Sequence, residues 1–481
     1  MKKTILFFSR AELTHFYALL SLKLQDHFDI INVAYSLLEQ DMLKKLYGIK
    51  ADYVYQDLVH ENLVKPIDID LLNEIDSLIV KQSKGRFTLN SSIQSDRGFC
   101  LLSYDEALLL SQSQFLAWDN IFTENNIKFF YHEPPSLFMN HIASLLCLEN
   151  NANYCYDSMV KGEYENNFIL LLQDTAYSPE LEYYLMSLTE DDVLNEKNRI
   201  LNFIEEFRTT NAVFLGDKIG GSPSFIKPLF SAFKFFIYNE FKSKKLSSIK
   251  DNIDYFLSKN NTSWNTFKNL LFYKLRIKFE NFDEKKSYYY YSMNLEPEAT
   301  VLYLGDGLYE NQVKLIVNIA AQLPPNTFLY VKDHPHFIGY RDYKDYLKLM
   351  NVPNIKLLKA KIPGKSIIKS SKGVFIVNGT AGFEAIMLNK PVFTFGNMFY
   401  NVSDRVTYVK NIKDLRNILY SNREFKYKDD VHLYKFVLAF LKSTHIGVTD
   451  YFQGRIDLYN ISKEDNADYI AKDLVRFFNN Y

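Results

Sequence analysis

The apolar positions of this chain alternate between short strand-like runs and longer stretches with helical spacing. Near the start, residues 5–8 (Ile-Leu-Phe-Phe) read as a buried strand, residues 13–24 as an amphipathic helix and residues 28–33 as a second strand. Residues 98–103 predict a further strand and residues 127–131 another. Strand and helix patterns repeated in this way imply a parallel sheet with right-handed crossovers. Residues 174–287 are mostly helical in pattern and highly charged, and the polar run 281–287 predicts a hinge. A second strand series follows, with a Tyr-rich run from Tyr288, then 301–304, 328–332, 375–378 and a strand after Lys390. Residues 431–481 read as terminal helices. The fold class predicted is α/β, with two domains in 481 residues.

Two strand ends in the second series carry the chemistry. Phe328-Leu-Tyr-Val-Lys-Asp-His-Pro335 and Phe375-Ile-Val-Asn-Gly-Thr-Ala-Gly-Phe-Glu-Ala385 each run from apolar residues into polar or Gly-rich ones. That is how the carboxyl end of a parallel strand delivers groups to a ligand crevice. Gly379, Thr380, Ala381 and Gly382 are small enough for backbone N–H groups to approach an anion, ahead of a helix predicted over 383–388. Glu384, placed in the first turn of that helix, can accept two ribose hydroxyls, while Lys332 and His334 can donate to phosphate oxygens. Taken alone, Gly-Thr-Ala-Gly equally describes a turn with an N-capping Thr. The order of strand, His-Pro, helix, strand, Gly-Thr-x-Gly-x-Glu, helix and Lys390-Pro-Val favours the nucleotide.

Those residues, with Glu296-Pro-Glu-Ala-Thr300, Gly305-Asp-Gly307, Gln312 and Phe395-Gly396, resemble the capsule polysaccharide biosynthesis proteins of bacteria. That group includes β-Kdo transferases and transferases of nonulosonic acids such as pseudaminic and legionaminic acid. The resemblance covers about a quarter of the chain, from Tyr288 to Tyr400. It implies a GT-B glycosyltransferase, with two Rossmann-like domains facing a central cleft and a CMP-activated keto sugar as donor. The donor site it implies comprises Lys332, His334, Pro335, Asn378, Gly379, Thr380, Ala381, Gly382 and Glu384, with the His-Pro pair contacting the CMP phosphate. The expected domains are residues 1–280 for the acceptor, with a helical insertion, and 288–425 for the donor, with 426–481 packing back on the first. Residues 289–295 depart from the family's Pro-containing strand end.

Charge and cysteine content narrow the classes. The chain balances 56 Lys and Arg against 57 Asp and Glu, so no overall cationic field attracts nucleic acid. Cys100, Cys147 and Cys155 show no metal-ligand spacing and read as reduced thiols. The first apolar run stops at Ser9, short of a signal-peptide core, and no stretch approaches the roughly 20 apolar residues of a membrane span. The expectation is a cytoplasmic protein. Residues 224–250 interleave Phe and Lys as a helix lying on an anionic membrane does, although core packing with a solvated basic end explains them too.

The catalytic candidates are carboxylates after strands, with His334 stabilising the departing phosphate. Glu133, in Tyr131-His-Glu-Pro-Pro135, is the first; the alternative is that the two prolines start a helix and Glu133 offsets its dipole. Asp306 is the second; a Gly-Asp-Gly turn can also exist for its backbone angles alone. One carboxylate would act as general base or as nucleophile. Asp68-Ile-Asp70 superficially matches a metal motif but reads as a helix N-cap, so no metal and no cofactor beyond the CMP-sugar substrate is predicted. The acceptor expected is a surface glycan, free or lipid-linked. Alternatives are a UDP-sugar epimerase or hexosyltransferase of the same architecture, and a non-catalytic capsule assembly protein.

Overall fold

The computed structural model describes residues 2–99, 102–164, 166–210, 263–296, 299–309, 311–421, 430–449 and 461–481. The amphipathic segment 224–250, Cys100, Pro297 and Glu298 lie outside them. The chain divides into two compact units, residues 1–194 with 435–481, and residues 195–434.

The first unit is built on seven strands: β1 (Thr4–Ser9), β2 (Asp29–Ala34), β3 (Tyr53–Val54), β4 (Ile127–Tyr131), β5 (Asn153–Val160), β6 (Asn167–Leu172) and, last in the chain, β13 (Thr444–Ile446). Their order is β13-β6-β5-β4-β1-β2-β3. The strands β1 to β5 run parallel, β6 pairs antiparallel with β5, and β13 pairs antiparallel with β6. Buried at nearly every position, β1 and β4 are mostly apolar, as strands covered on both faces are. Helix Lys463–Asn480 lays Ile470, Leu474, Phe477 and Phe478 on the face formed by Ile5, Phe7 and Phe129.

The second unit holds β7 (Tyr288–Ser292), β8 (Phe328–Lys332), β9 (Ile355–Leu358), β10 (Val374–Ile376), β11 (Val392–Thr394) and β12 (Val406–Tyr408), all parallel. Their order is β12-β11-β10-β7-β8-β9. Counted within the unit this is 3-2-1-4-5-6 read from the other edge, the Rossmann order. Period-two alternation explains the four-tyrosine strand: Tyr289 and Tyr291 join the core of Phe375, Phe393 and Val331, while Tyr288 on the other face packs on Tyr330.

Several sequence expectations give way here. Residues 301–304 are not a strand: Ala299–Leu302 is a short helix, followed by a turn that Gly307 N–H closes on the Leu302 carbonyl. A four-residue apolar run does not separate strand from helix. Residues 98–99 lie in a turn, because the Asp96 carboxylate accepts the Gly98 N–H at 2.6 Å. The unit boundary lies at 194/195 rather than at 280. Helix Lys197–Thr209 packs Phe207 against Phe383, and helix Ser263–Arg276 stacks Phe272 on Tyr343, so both belong with the second sheet.

Candidate functional site

In an open parallel sheet, ligands bind beyond the carboxyl ends of the strands where the strand order reverses. In the second unit that point lies between β7 and β10. The loop after β7 carries Asn294, and the loop after β10 carries Asn378 and Gly379. Asn294 Nδ2 donates to the Asn378 carbonyl at 2.7 Å and to Asn378 Oδ1 at 3.1 Å, bridging the point directly. Gly379 has φ of 115°, and a Cβ there would stand 3.2 Å from Asn294 Nδ2. This backbone angle turns the chain straight from β10 into helix Thr380–Met387. Thr380, Ala381 and Gly382 are therefore the first turn of the helix, not a loop before it, and Glu384 falls in the second turn. Gly379 at the N-cap offers no side-chain cap, and the first N–H groups of an α-helix have no intrahelical acceptor. Gly382 has a packing reason as well: a Cβ would meet the Tyr400 hydroxyl at 2.4 Å, and that hydroxyl donates to the Gly379 carbonyl.

Beside this loop, the end of β8 supplies Lys332, Asp333, His334 and Pro335. His334 is half-buried, and its N–H donates to Asp333 Oδ1 at 2.8 Å. Lys332 Nζ reaches the Ala360 carbonyl at 3.4 Å. Asp333 is buried and held by Arg341, whose Nε lies 2.8 Å from Asp333 Oδ2, and by the Tyr346 hydroxyl. Arg341 is itself buried and also binds the Glu296 carboxylate and, at 3.0 Å, the Asn294 carbonyl. Burial would push the Arg341 pKa down, but Asp333 and Glu296 outweigh it and hold the group above its usual range. Burial raises Glu296, against the opposing pull of Arg341. Gln312 completes the network, accepting the Asn294 N–H at 2.9 Å and donating to Glu296 at 2.8 Å. Asn294 and Arg341 are the residues sequence reasoning missed. Glu384 Oε2 lies 3.7 Å from where a Cβ on Gly364 would stand, on the side of Tyr290.

Asp306, with φ of 57°, lies in a turn whose Gly305 backs onto Val377, the residue before Asn378. Its two oxygens accept from Asn397 Nδ2 at 2.9 Å and from the Tyr408 hydroxyl at 2.6 Å, which ties the turn to the ends of β11 and β12.

The first unit repeats the topology. Its order reverses between β1 and β4, and the residues just beyond those strands are Arg10 and Glu133, which form an ion pair with the carboxylate 1% exposed. His132 Nε2 lies 3.4 Å from Glu133 Oε1 without forming an aligned hydrogen bond, and burial lowers its pKa. The dipole-offsetting alternative for Glu133 fails on geometry. Helix Phe138–Glu149 begins later than the prolines, and its first N–H, that of Phe138, is taken by Asp96 at 2.6 Å. Asp68 caps helix Ile69–Gln82 through the N–H groups of Asp70 and Leu71. Cys147 and Cys155 are free and buried.

Residues 256–438 match the family model of capsule polysaccharide biosynthesis proteins, which spans every residue of the switch-point cluster in the second unit. Over these residues the chain is similar to the capsule polysaccharide biosynthesis family. Among curated proteins, the chain is 33% identical over 100 residues to Protein FixF of Sinorhizobium fredii, covering 20% of this chain and 22% of that protein. It is 28% identical over 98 residues to the capsule polysaccharide export protein KpsS of Escherichia coli, covering 20% and 25% respectively. The chain thus spans about a quarter or less of the relatives it matches. Among solved structures, the β-Kdo 2,4 transferase KpsC of Thermosulfurimonas dismutans shares 13% identity over 67% of this chain and 82% of that one, with a TM-score of 0.37. No helix among the described residues is long and apolar enough to cross a membrane.

Proposed function

We propose that this chain is a glycosyltransferase of capsule or related surface-glycan synthesis, moving a Kdo-type or nonulosonic keto sugar from a CMP-linked donor to a glycan acceptor. The observation that carries the reading is the family match across a Rossmann-ordered unit whose switch point gathers Asn294, Asn378 and an uncapped helix N-terminus, with the His334 loop on the adjoining strand. An uncapped N-terminus with backbone N–H groups suits a phosphate. CMP as the nucleotide and the keto sugar rest on the resemblance.

In the reaction, the bond from the anomeric carbon to the phosphate oxygen breaks and its electron pair leaves on CMP. His334 and the first-turn amides of helix Thr380–Met387 stabilise that charge. The acceptor oxygen forms the new bond, and its proton passes to a carboxylate, for which Glu133 is the candidate. Retention of configuration would divide this into two displacements, with the carboxylate taking the anomeric carbon first. Asp306, with both oxygens engaged by Asn397 and Tyr408, suits positioning of the β11 and β12 ends better than proton transfer. The acceptor is a glycan, free or lipid-linked, and no metal or cofactor takes part.

The test is CMP release from CMP-Kdo and CMP-N-acetylneuraminic acid with and without oligosaccharide acceptors. Acceptor-dependent release that falls by at least about 100-fold in Glu133→Gln, the lower range for a general base, supports the reading. Release from neither donor, or an unchanged rate in the variant, removes the donor class or the residue respectively.

A further inference from the structure

At the switch point of the first unit, Arg10, His132 and Glu133 stand just beyond β1 and β4, and the three differ in their access to solvent. The side chains of Glu133 and His132 are 1% and 0% exposed, whereas that of Arg10 is 23% exposed. A substrate arriving at these strand ends meets the arginine before the carboxylate. The local backbone is built to present it. Ala11, the next residue, has φ of 50°, a left-handed conformation that is unfavourable for a residue with a Cβ. Glu39, buried in the first turn of helix Leu37–Tyr47, holds that turn: one oxygen accepts the Ala11 N–H at 3.1 Å and the other the Ser36 N–H at 3.0 Å. On the other side of the pair, the buried Tyr154 hydroxyl donates to the Glu133 carbonyl at 2.7 Å. Both partners of the Arg10–Glu133 ion pair are thus fixed by groups from other elements.

We infer that Arg10 is a substrate-binding residue of the first unit that takes a sugar carboxylate, with Glu133 and Glu39 positioning it. A guanidinium carries N–H donors and no acceptor, so its partner must accept, and its planar fork matches the two oxygens of a carboxylate. Kdo and the nonulosonic acids carry a carboxylate beside the anomeric carbon. The group is therefore present on the proposed donor and on any acceptor that already ends in such a sugar. A neutral hexose offers hydroxyls alone, so this residue separates keto-acid sugars from hexoses. Backbone strain held in place by a buried side chain is concentrated at ligand-binding positions, and the turn at Ala11 is strain of that kind. Binding through Arg10 is independent of the proton transfer proposed for Glu133. The assignment rests on the keto-sugar reading and adds to it the residue that recognises the acid group.

The experiment measures, by calorimetry on the full chain, the affinities of CMP-Kdo, CMP-N-acetylneuraminic acid and oligosaccharides ending in the same sugars. Each is compared as the free acid and as the methyl ester of its sugar carboxylate. Wild type should bind the acid about 10- to 100-fold more tightly than the ester, the range of a hydrogen bond between charged groups. A preference among the CMP-sugars puts the recognised carboxylate on the donor, and one among the oligosaccharides puts it on the acceptor. Arg10→Met alone leaves Glu133 buried without a counter-ion, so the deciding variant is the double change Arg10→Met with Glu133→Gln. There the preference should fall below about two-fold, while Glu133→Gln alone should keep it. A preference that survives the double change, or that Glu133→Gln alone abolishes, overturns the inference. So does an equal loss for acid and ester, which marks a purely structural pair. A wild type that binds neither donors nor oligosaccharides fails the keto-sugar reading, and this inference with it. A wild type that binds acid and ester equally fails this inference alone.

Discussion

Replacing Arg341 with Met should unfold the second unit more readily than any surface change. The side chain is 1% exposed and serves the carboxylates of Asp333 and Glu296, which are 4% and 21% exposed, together with the Asn294 carbonyl. Methionine matches the aliphatic length but leaves two largely buried carboxylates without a counter-ion. Breaking a buried pair by removing one partner costs about 3–5 kcal/mol, against less than about 1 kcal/mol for an exposed pair. In a unit of this size that corresponds to a fall in Tm of about 6–20 °C. Lysine should recover little, because a single ammonium cannot reproduce the guanidinium fork across three acceptors. The pH dependence gives a second check. Burial raises Glu296 even with Arg341 present. A carboxyl with a raised folded pKa favours folding below its ordinary value of 4.5 and loses that contribution as pH rises through the folded value. Without Arg341 the shift grows, so the deficit of the variant should be largest at neutral pH and shrink on acidification towards pH 5. Urea denaturation at pH 7.5 and 5.5 would measure both. A loss under about 1 kcal/mol, or a deficit equal at the two pH values, would refute the reasoning.

Two further outcomes follow from single residues. His445 is protonated in the folded first unit: burial pushes its pKa down, but Asp473 and Glu180, at 3.2 Å and 2.7 Å, outweigh it and hold it at about 9. Its contribution, at most about 3 kcal/mol, is full below the ordinary value of 6.5 and is lost as pH rises through about 9; His445→Gln should flatten that part of the stability profile, and an unchanged slope between pH 6.5 and 9 would contradict the pairing. Glu384→Ala should weaken nucleotide affinity more than it slows turnover of bound donor, and an unaltered CMP affinity by calorimetry would remove it from the ribose position.

Much of the second unit was legible because its signals are local. The strand ends at Lys332 and Asn378 follow from apolar runs that stop at polar residues, and the structure places Lys332 as the last residue of β8 and Asn378 just beyond β10. Residues 127–131 and 13–24 form the strand and helix that their spacing predicts. What escaped is non-local. Arg341 lies 47 positions from Asn294, and nothing in its own neighbourhood marks it as buried. Asn294 gains its meaning only when β7 and β10, 84 positions apart at the contact, become neighbours. The helix start at Thr380 depended on the backbone angle at Gly379, and the misread strand at 301–304 on a turn fixed by Gly307. Glu133 was recognisable as a strand-end carboxylate, whereas its partner Arg10, from the end of β1, was not.

Calorimetric titration of the wild-type protein and His334→Ala with CMP, UDP and GDP tests whether the second unit binds a CMP-linked donor through His334. Selective CMP binding that is lost in the variant is the expected result. A preference for UDP, or CMP binding that survives the loss of His334 unchanged, would contradict it.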